Sequence, residues 1–288
     1  MSKTESKPMD TKPILILPPR YTDDSIALWR ASIRAGWDSE RLSDWRIPDD
    51  IRRDRRERVL YGEPLFAAAV GVQLGVALLE PPFYWLASIP REYTLRDVRF
   101  MTFAEACEIP DRRFIKPADD KRFPAKIYSS GAELPDHVSP DAPVLASDVV
   151  QWASEFRVFV LHNEPAAISP YARYGELAIA EDGSWPFVDS ERDEAIEFLN
   201  QLLGDPRVSV PPGVVVDIGV IEGLGWAVVE VNAAWGSGVY GCCCDDVLPV
   251  VRRACVNGPV PGDDRVWLIQ RDADKREFDD SDLKRGGE

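Results

Sequence analysis

The sequence predicts mixed architecture: an α/β unit with a parallel sheet up to about residue 110, then an α+β unit built on antiparallel hairpins. Three observations carry this. Strand-like and helix-like segments alternate through the first third of the chain. Hairpin signals replace them after residue 110. The stretch VVVDIGVIEGLGWAVVEVN joins two apolar strands through a glycine-containing turn.

The elements follow in order. PILILPP (13–19) is an apolar run closed by prolines and predicts a first strand. DDSIALWRASIRAG predicts a helix with acids in its first turn, Ile26, Trp29 and Ile33 on its inner stripe, and a stop at Gly36. RVLYG predicts a strand, EPLFAAAVGVQLG a helix with proline near its first turn, and VALLE a further strand of the same sheet. The basic run DIRRDRRER (50–58) carries interspersed acids at helical spacing and is expected to be a solvated helix face.

After residue 110, RFIKP and AKIYSS are short strands around ADDKRFP, and PVLASDVV is another. SEFRVFVLHNEPAAISPYARYG is a hairpin turning at His162-Asn163-Glu164. SERDEAIEFLNQLLG has a Ser N-cap position, a terminal Gly and a stripe of Ala195, Ile196, Leu199, Leu202 and Leu203, so it predicts a helix. DDVLPVVRRACV is a helix, and from Gly258 the chain is acid-rich with one apolar patch, VWLI, expected to be a mobile or loosely docked tail (258–288).

Composition bounds the function. A 288-residue chain supports a large core, and 45% hydrophobic with 29% charged residues is ordinary for a soluble globular protein. No apolar run reaches the roughly 20 residues of a membrane span. The opening MSKTESKPMDTKP has no apolar core of the signal-peptide kind, so residues 1–12 are expected to be a flexible extension and the protein cytoplasmic. The net charge of −15 argues against a nucleic-acid partner, whose phosphates Lys and Arg must neutralise. Five cysteines, three of them consecutive at Cys242-Cys243-Cys244, and only His137 and His162 beside them, make neither a disulfide framework nor a zinc site. They are expected to pack at the start of a helix.

The hairpin carries the chemistry. If Gly223-Leu224 is a two-residue turn, Asp217 lies opposite Glu230 and Val215 opposite Asn232. Side chains alternate faces, so Asp217, Glu230 and Asn232 share one face, while Val216, Ile218, Val220, Ala227, Val229 and Val231 form an apolar face. Carboxylates opposed at the ~5 Å of cross-strand neighbours repel. A cation between them resolves this, and hard oxygen ligands point to Mg2+. The following GSGVYG (236–241) matches G-x-G-x-x-G, but too little chain remains for the further βαβ units of a dinucleotide fold. The glycines are expected to turn the backbone tightly beside the metal site.

On these segments the sequence resembles the ATP-grasp superfamily. VVVDIGVIEGLGWAVVEVNAAWGSG resembles its final metal-binding hairpin, FIKPADD its lysine-bearing strand, and VLASDVVQWASEFRVFVL its adenine hinge and the strand with a ribose-binding acid. The basic residues are similar to those of a divergent clade marked by two arginines and a lysine. The resemblance implies a pre-ATP-grasp α/β domain (13–110), an ATP-grasp domain of two α+β subdomains (111–257), and ATP and Mg2+ as cofactors. Lys116 would then contact ATP phosphates, with Lys121 and Lys126 in the covering loop. The backbone at Asp148, Val149 and Val150 would hold adenine, and Glu155 the ribose. Arg157 and Arg173 would stabilise the γ-phosphate or a phosphorylated intermediate. Arg173 shares the Arg157 face with a three-residue hairpin loop and not with a two-residue one.

The chain departs from the family pattern: ADDKRFPA has no glycine, no lysine lies between Lys12 and Lys116, and Val215 stands where many ligases have arginine. Arg96, Arg99, Lys121 or Lys126 are the basic residues left to replace the missing lysine. The implied function is ATP-dependent joining of a carboxylate to an amine, on small-molecule or peptide substrates, with ADP and phosphate released. A kinase-like phosphotransferase and a nucleotide-binding protein without turnover are the alternatives. Trp235, Tyr240 and Arg20 are expected to line the substrate cleft.

Overall fold

The protein is described by a computed structural model covering residues 12–119 and 121–269. The expected N-terminal extension lies, but for Lys12, outside the described residues, as does the acidic stretch beyond residue 269.

The first unit is a three-stranded parallel sheet. β1 (Ile14–Leu17) is fully buried and is followed by α1 (Asp23–Arg34), β2 (Asp38–Arg41), α2 (Asp49–Arg53) and β3 (Arg58–Leu60), with sheet order β2-β1-β3. Thr22 caps α1: its hydroxyl accepts the Ser25 N–H at 3.1 Å, and Ser25 Oγ accepts the Thr22 N–H at 3.0 Å. The buried stripe of α1 is Ser25, Leu28, Ala31 and Ser32, not the expected large residues; Trp29 and Ile33 are 42% and 52% exposed. The small side chains allow close approach, and both serine hydroxyls are satisfied by local carbonyls, at Thr22 and Trp29.

The basic run is not one helix either. α2 ends at Arg53, because Asp54 is extended and its carboxylate receives the Arg56 guanidinium at 2.8 Å. β2, which carries no apolar alternation, has no counterpart in the sequence reading. α3 (Pro64–Leu74) starts on its proline and stops at Gly75, whose φ of +65° suits the left-handed cap. β4 (Val76–Leu78) follows, but it does not extend the parallel sheet.

Two short helices, α4 (Trp85–Ser88) and α5 (Arg91–Thr94), lead to β5 (Val98–Thr102) and α6 (Phe103–Cys107). β5 belongs to an antiparallel four-stranded sheet with β6 (Arg113–Pro117), β7 (Lys126–Tyr128) and β8 (Pro143–Ser147), in order β5-β8-β6-β7. A division at residue 110 therefore separates β5 from its hydrogen-bonded neighbour. Phe103 and Ala106 of α6 explain why β5 goes there, since they pack with Ile115, Val144 and Ala146 in one core.

The third sheet has order β11-β10-β9-β12-β13: β9 (Trp152–Leu161), β10 (Glu164–Arg173), β11 (Glu176–Leu177), β12 (Gly213–Ile221) and β13 (Gly225–Ala233). α7 (Glu191–Gly204) covers its back, where Ala195, Leu199 and Leu202 meet Phe156, Val158, Val216, Ile218 and Val228. On the front, Phe159 and Val215 pack with Val247 and Val251 of α8 (Cys244–Arg253). β14 (Cys255–Asn257) then pairs antiparallel with β4. This return of the C-terminal strand takes β4 out of the first sheet. Residues 258–269 stay docked along β4, through Glu80 N–H to Trp267 O at 2.8 Å and Ile269 N–H to Leu78 O at 3.1 Å.

Among the described residues the cysteines are all free. Cys243 is the exposed N-cap of α8, and burial pushes the Cys242 thiol up to about 12, which suits packing rather than metal binding. Among the described residues no helix is long and apolar enough to cross a membrane.

Candidate active site

The hairpin β12–β13 reaches the expected register by an unexpected route. Its turn has three residues, Glu222-Gly223-Leu224, with φ of +76° at Gly223 and +111° at Gly225. From Ile221↔Gly225 to Ile218↔Val228 the pairing runs one residue off the expected count. A bulge leaves Val229 unpaired and restores it, so Asp217 lies opposite Glu230 and Val215 opposite Asn232. The apolar side changes accordingly: Val228, in place of Ala227 and Val229, joins Val216 and Ile218 behind the sheet.

The carboxylates are not left opposed. Arg157, on the adjacent strand β9 opposite Asp217, donates to it from Nε at 2.9 Å and Nη2 at 2.6 Å. Asp217 is 0% exposed, so both its oxygens are committed inside the protein. Nη1 of Arg157 donates to Gly238 O at 3.0 Å, and the guanidinium lies 4.8 Å from the ring centre of Tyr240 and 5.6 Å from that of Tyr171. Burial works against the Arg157 charge, but Asp217 overrides it and holds the guanidinium above its ordinary value. Asn232 Nδ2 bridges the acids, 2.9 Å from Glu230 Oε1 and 3.3 Å from Asp217 Oδ2.

Glu230 turns outward from this cluster and meets Lys116 of β6, whose Nζ is 2.6 Å from Oε2. Burial alone would raise the Glu230 carboxyl; Lys116, Asn232 and Arg157 outweigh it and hold the group down at about 2. Lys116, Lys121, Glu230 and Asn232 line one cavity of about 800 Å³, with Phe83 and Phe123 on its apolar wall. Among the described residues after β6, Phe123 is buried against Phe103, with ring centres 5.5 Å apart, and Asp119 pairs with Arg122 at 2.7 Å.

Glu155 accepts the Tyr171 hydroxyl at 2.7 Å on the same strand as Arg157. Burial raises its carboxyl, an effect the tyrosine partly offsets. After β8, Asp148 N–H donates to Asp97 O at 3.0 Å and its carboxylate receives the Asp97 N–H at 2.8 Å, which ties Asp148 to the residue just before β5.

Several expected residues are elsewhere. Arg173 pairs with Ser154, not with the Glu155–Arg157 face, and its guanidinium grips Glu191 of α7 at 2.6 and 2.7 Å. The cause is the two-residue loop His162-Asn163, both at positive φ, followed by two bulges that cancel in parity. Lys126 sits 4.8 Å from the Tyr128 ring and is exposed, outside the cavity lining. Trp235 is fully buried, donating to Leu79 O at 2.8 Å, so it cannot line a cleft; Arg20 pairs with Glu63 on the surface. Arg99 pairs with Asp97. Arg96, in the sequence only a substitute for a lysine, is buried against β13. Tyr171 has no place in the sequence reading, because its position two residues before Arg173 gives no signal without the bulge at residues 170–172.

Among the described residues no group of three or more His, Cys, Asp or Glu side chains is arranged for a metal ion. The oxygens of Glu230 and Asn232 at the cavity wall fit Mg2+, which typically takes one or two protein groups and completes its shell with phosphates and water. Asp217 does not fit this role, since Arg157 holds both its oxygens and it does not line the cavity.

Comparison with known proteins gives the family. No curated protein matches the chain. Among solved structures, the RimK domain ATP-grasp protein of Sphaerobacter thermophilus is similar at 16% identity and a TM-score of 0.49, over 83% of this chain and 98% of that one. D-cycloserine synthetase DcsG is similar at 14% identity and a TM-score of 0.48, over 84% and 97%. The D-alanine–D-alanine ligase of Bacillus anthracis is similar at 14% and 0.44, over 77% and 86%. Residues 93–250 match the ATP-grasp domain of family 2 in the clade named for two arginines and a lysine. That match spans more than half of the 288 residues, and the chain belongs to this ATP-grasp family.

Proposed function

We propose that the protein is an ATP- and Mg2+-dependent ligase that activates a carboxylate as an acyl phosphate and joins it to an amine, releasing ADP and phosphate. The observation that carries the reading is the convergence of Lys116, Lys121, Glu230 and Asn232 on one cavity of about 800 Å³ between two sheets. Phosphoryl transfer asks a protein mainly for positioning and charge neutralisation, and this cavity offers both signs of charge in fixed positions.

In this reading Lys116 and Lys121 neutralise the ATP phosphates, residues 148–150 border adenine and Glu155 accepts from the ribose. Glu230 and Asn232 hold Mg2+, which when bound offsets phosphate charge. The substrate carboxylate oxygen attacks the γ-phosphorus and the bond to ADP breaks. The amine then attacks the acyl carbon, phosphate leaves with the C–O electron pair, and the amine proton passes to solvent. Arg157 works from behind, keeping its charge beside the site because Asp217 fixes it. The amine and carboxylate are small molecules or peptide termini, and the site of action is the cytoplasm.

Calorimetry of ATP with and without Mg2+, on the wild type and Glu230→Gln, tests the site; ADP release across carboxylate–amine pairs tests the reaction. Magnesium-dependent binding that weakens in the variant is expected. Absence of ATP binding sinks the reading, while a stable phosphorylated product that accumulates without any amine assigns phosphotransfer instead.

A further inference from the structure

We infer that Arg96 is a positioning residue that locks the β13 bulge and thereby sets Glu230 and Asn232 on the cavity side of the sheet. This rests on the role proposed above for those two residues. Arg96 is 6% exposed and donates to three carbonyls: Nη1 to Val228 O at 2.7 Å and Thr94 O at 3.1 Å, and Nη2 to Val229 O at 2.9 Å. Its guanidinium lies 4.9 Å from the Trp152 ring centre. Its own backbone is fixed, because Thr94 Oγ1 donates to Arg96 O at 2.8 Å.

Successive carbonyls of a regular strand point to opposite edges, so one rigid fork reaches two in a row only where the strand is kinked. Val229 is the unpaired residue of that kink and Val228 the paired residue just before it. β13 is the edge strand of its sheet, so among the described residues no further strand supplies donors to its outer carbonyls. Arg96 supplies them. Burial lowers the guanidinium to about 10, with Glu155, Asp148 and Glu230 acting the other way, so it stays charged at neutral pH.

The register shows what the lock controls. Without the bulge, the pairing of Ile218 with Val228 would continue and set Glu230 opposite Val216 and Asn232 opposite Val214. A one-residue slip moves side chains to the other face. Both polar residues would then enter the apolar layer of Val214, Val216 and Leu199. The apolar layer opposes that slip, and the Arg96 fork holds the alternative in place.

The test uses Arg96→Met and the milder Arg96→Lys, whose ammonium is a point charge without the fork. Hydrogen exchange is followed by mass spectrometry across 225–233, with α7 (191–204) as internal reference. Exchange in 225–233 is expected to rise at least tenfold in Arg96→Met, and to a smaller extent in Arg96→Lys, with α7 unchanged. An unchanged 225–233 segment in a folded variant overturns the lock, whether or not the protein binds ATP. If Arg96→Met does not fold, Arg96→Lys alone decides by the same criterion.

The second arm measures Mg2+–ATP affinity by calorimetry for Arg96→Lys, Glu230→Gln and the double variant. If Arg96 acts through Glu230, affinity falls about tenfold in each single variant and little further in the double. Fully additive losses would mean that Arg96 acts on the nucleotide directly and overturn the positioning role. A wild type that binds no ATP removes the proposed function instead, leaving the exchange result to judge the lock.

Discussion

Lys116 Nζ and Glu230 Oε2 are 2.6 Å apart, so the strand of one sheet is joined to the edge strand of the other by an ion pair at the wall of the cavity. The pair satisfies both charges within the protein. Under the proposed function it also makes Lys116 and Mg2+ competitors for the same carboxylate.

The pair has a pH signature. The folded Glu230 carboxyl is held at about 2, below its ordinary 4.5, so its stabilisation is full above about 4.5 and is lost as pH falls toward about 2. Lys116→Met removes the lysine's share of that contribution and leaves those of Asn232 and Arg157. Thermal melting at pH 7 is expected to show a loss on the order of 1–3 kcal/mol, and the two proteins should converge near the acid end of the range. Equal separation at every pH would contradict the pairing. Calorimetry with Mg2+ alone should show several-fold tighter binding in Lys116→Met, because its competitor for Glu230 is gone.

Asp217 and Glu230 face each other but should fail differently. Asp217→Asn strips a buried arginine of its carboxylate and is expected to cost about 3–5 kcal/mol in urea unfolding. Among molecules that remain folded, the Mg2+ concentration giving half-maximal ATP binding should stay within twofold of wild type. Glu230→Gln should do the reverse: stability close to that of Lys116→Met, with the Mg2+ requirement raised about tenfold, a shift of ~1.4 kcal/mol. A raised Mg2+ requirement in Asp217→Asn would return that residue to the metal.

Much of this site is legible in the sequence, and the illegible part has a common physical cause. The pairing of Asp217 with Glu230 follows from counting along alternating strands, although the count assumes a two-residue turn. The third turn residue and the bulge at Val229 cancel one another. Bulges have little sequence signature here, so the swap of Val228 for Val229 in the apolar layer is out of reach. Arg173 is undecidable for the same reason without the geometry of the His162-Asn163 loop. β4 misleads because a three-residue apolar strand looks alike in a parallel sheet and in a pairing with a strand near residue 255. The inner stripe of α1 misleads because size is a poor proxy for burial where Ser25, Ala31 and Ser32 allow the closer approach.

Arg173 offers a clean contrast to Arg157. Its partner Glu191 opens α7, and both side chains are partly exposed, so Arg173→Met is expected to cost no more than ~1 kcal/mol. ATP affinity should stay within twofold of wild type by calorimetry. A tenfold loss of affinity without loss of stability would place Arg173 back at the phosphates.

Gly219 links packing to the strand that carries Glu155. It lies on β12 opposite Glu155, and a Cβ there would stand 2.5 Å from Ser154 O and 3.0 Å from the Trp152 ring. The carbonyl belongs to the central part of the sheet and cannot turn away, so Gly219→Ala must push β9 outward, at about 1–3 kcal/mol. The shift falls on Ser154 and Trp152, next to Glu155 and against the ring that Arg96 stacks on. Thermal melting should therefore fall, and Trp152 emission, isolated by comparison with Trp152→Phe, should change with it. Gly223→Ala is the control. That glycine has φ of +76° and no described residue within 4 Å of its added methyl, so only the roughly 1 kcal/mol of left-handed backbone strain applies and ATP affinity should hold. If Gly219→Ala leaves melting unchanged, the close approach of β9 and β12 is looser than the geometry requires.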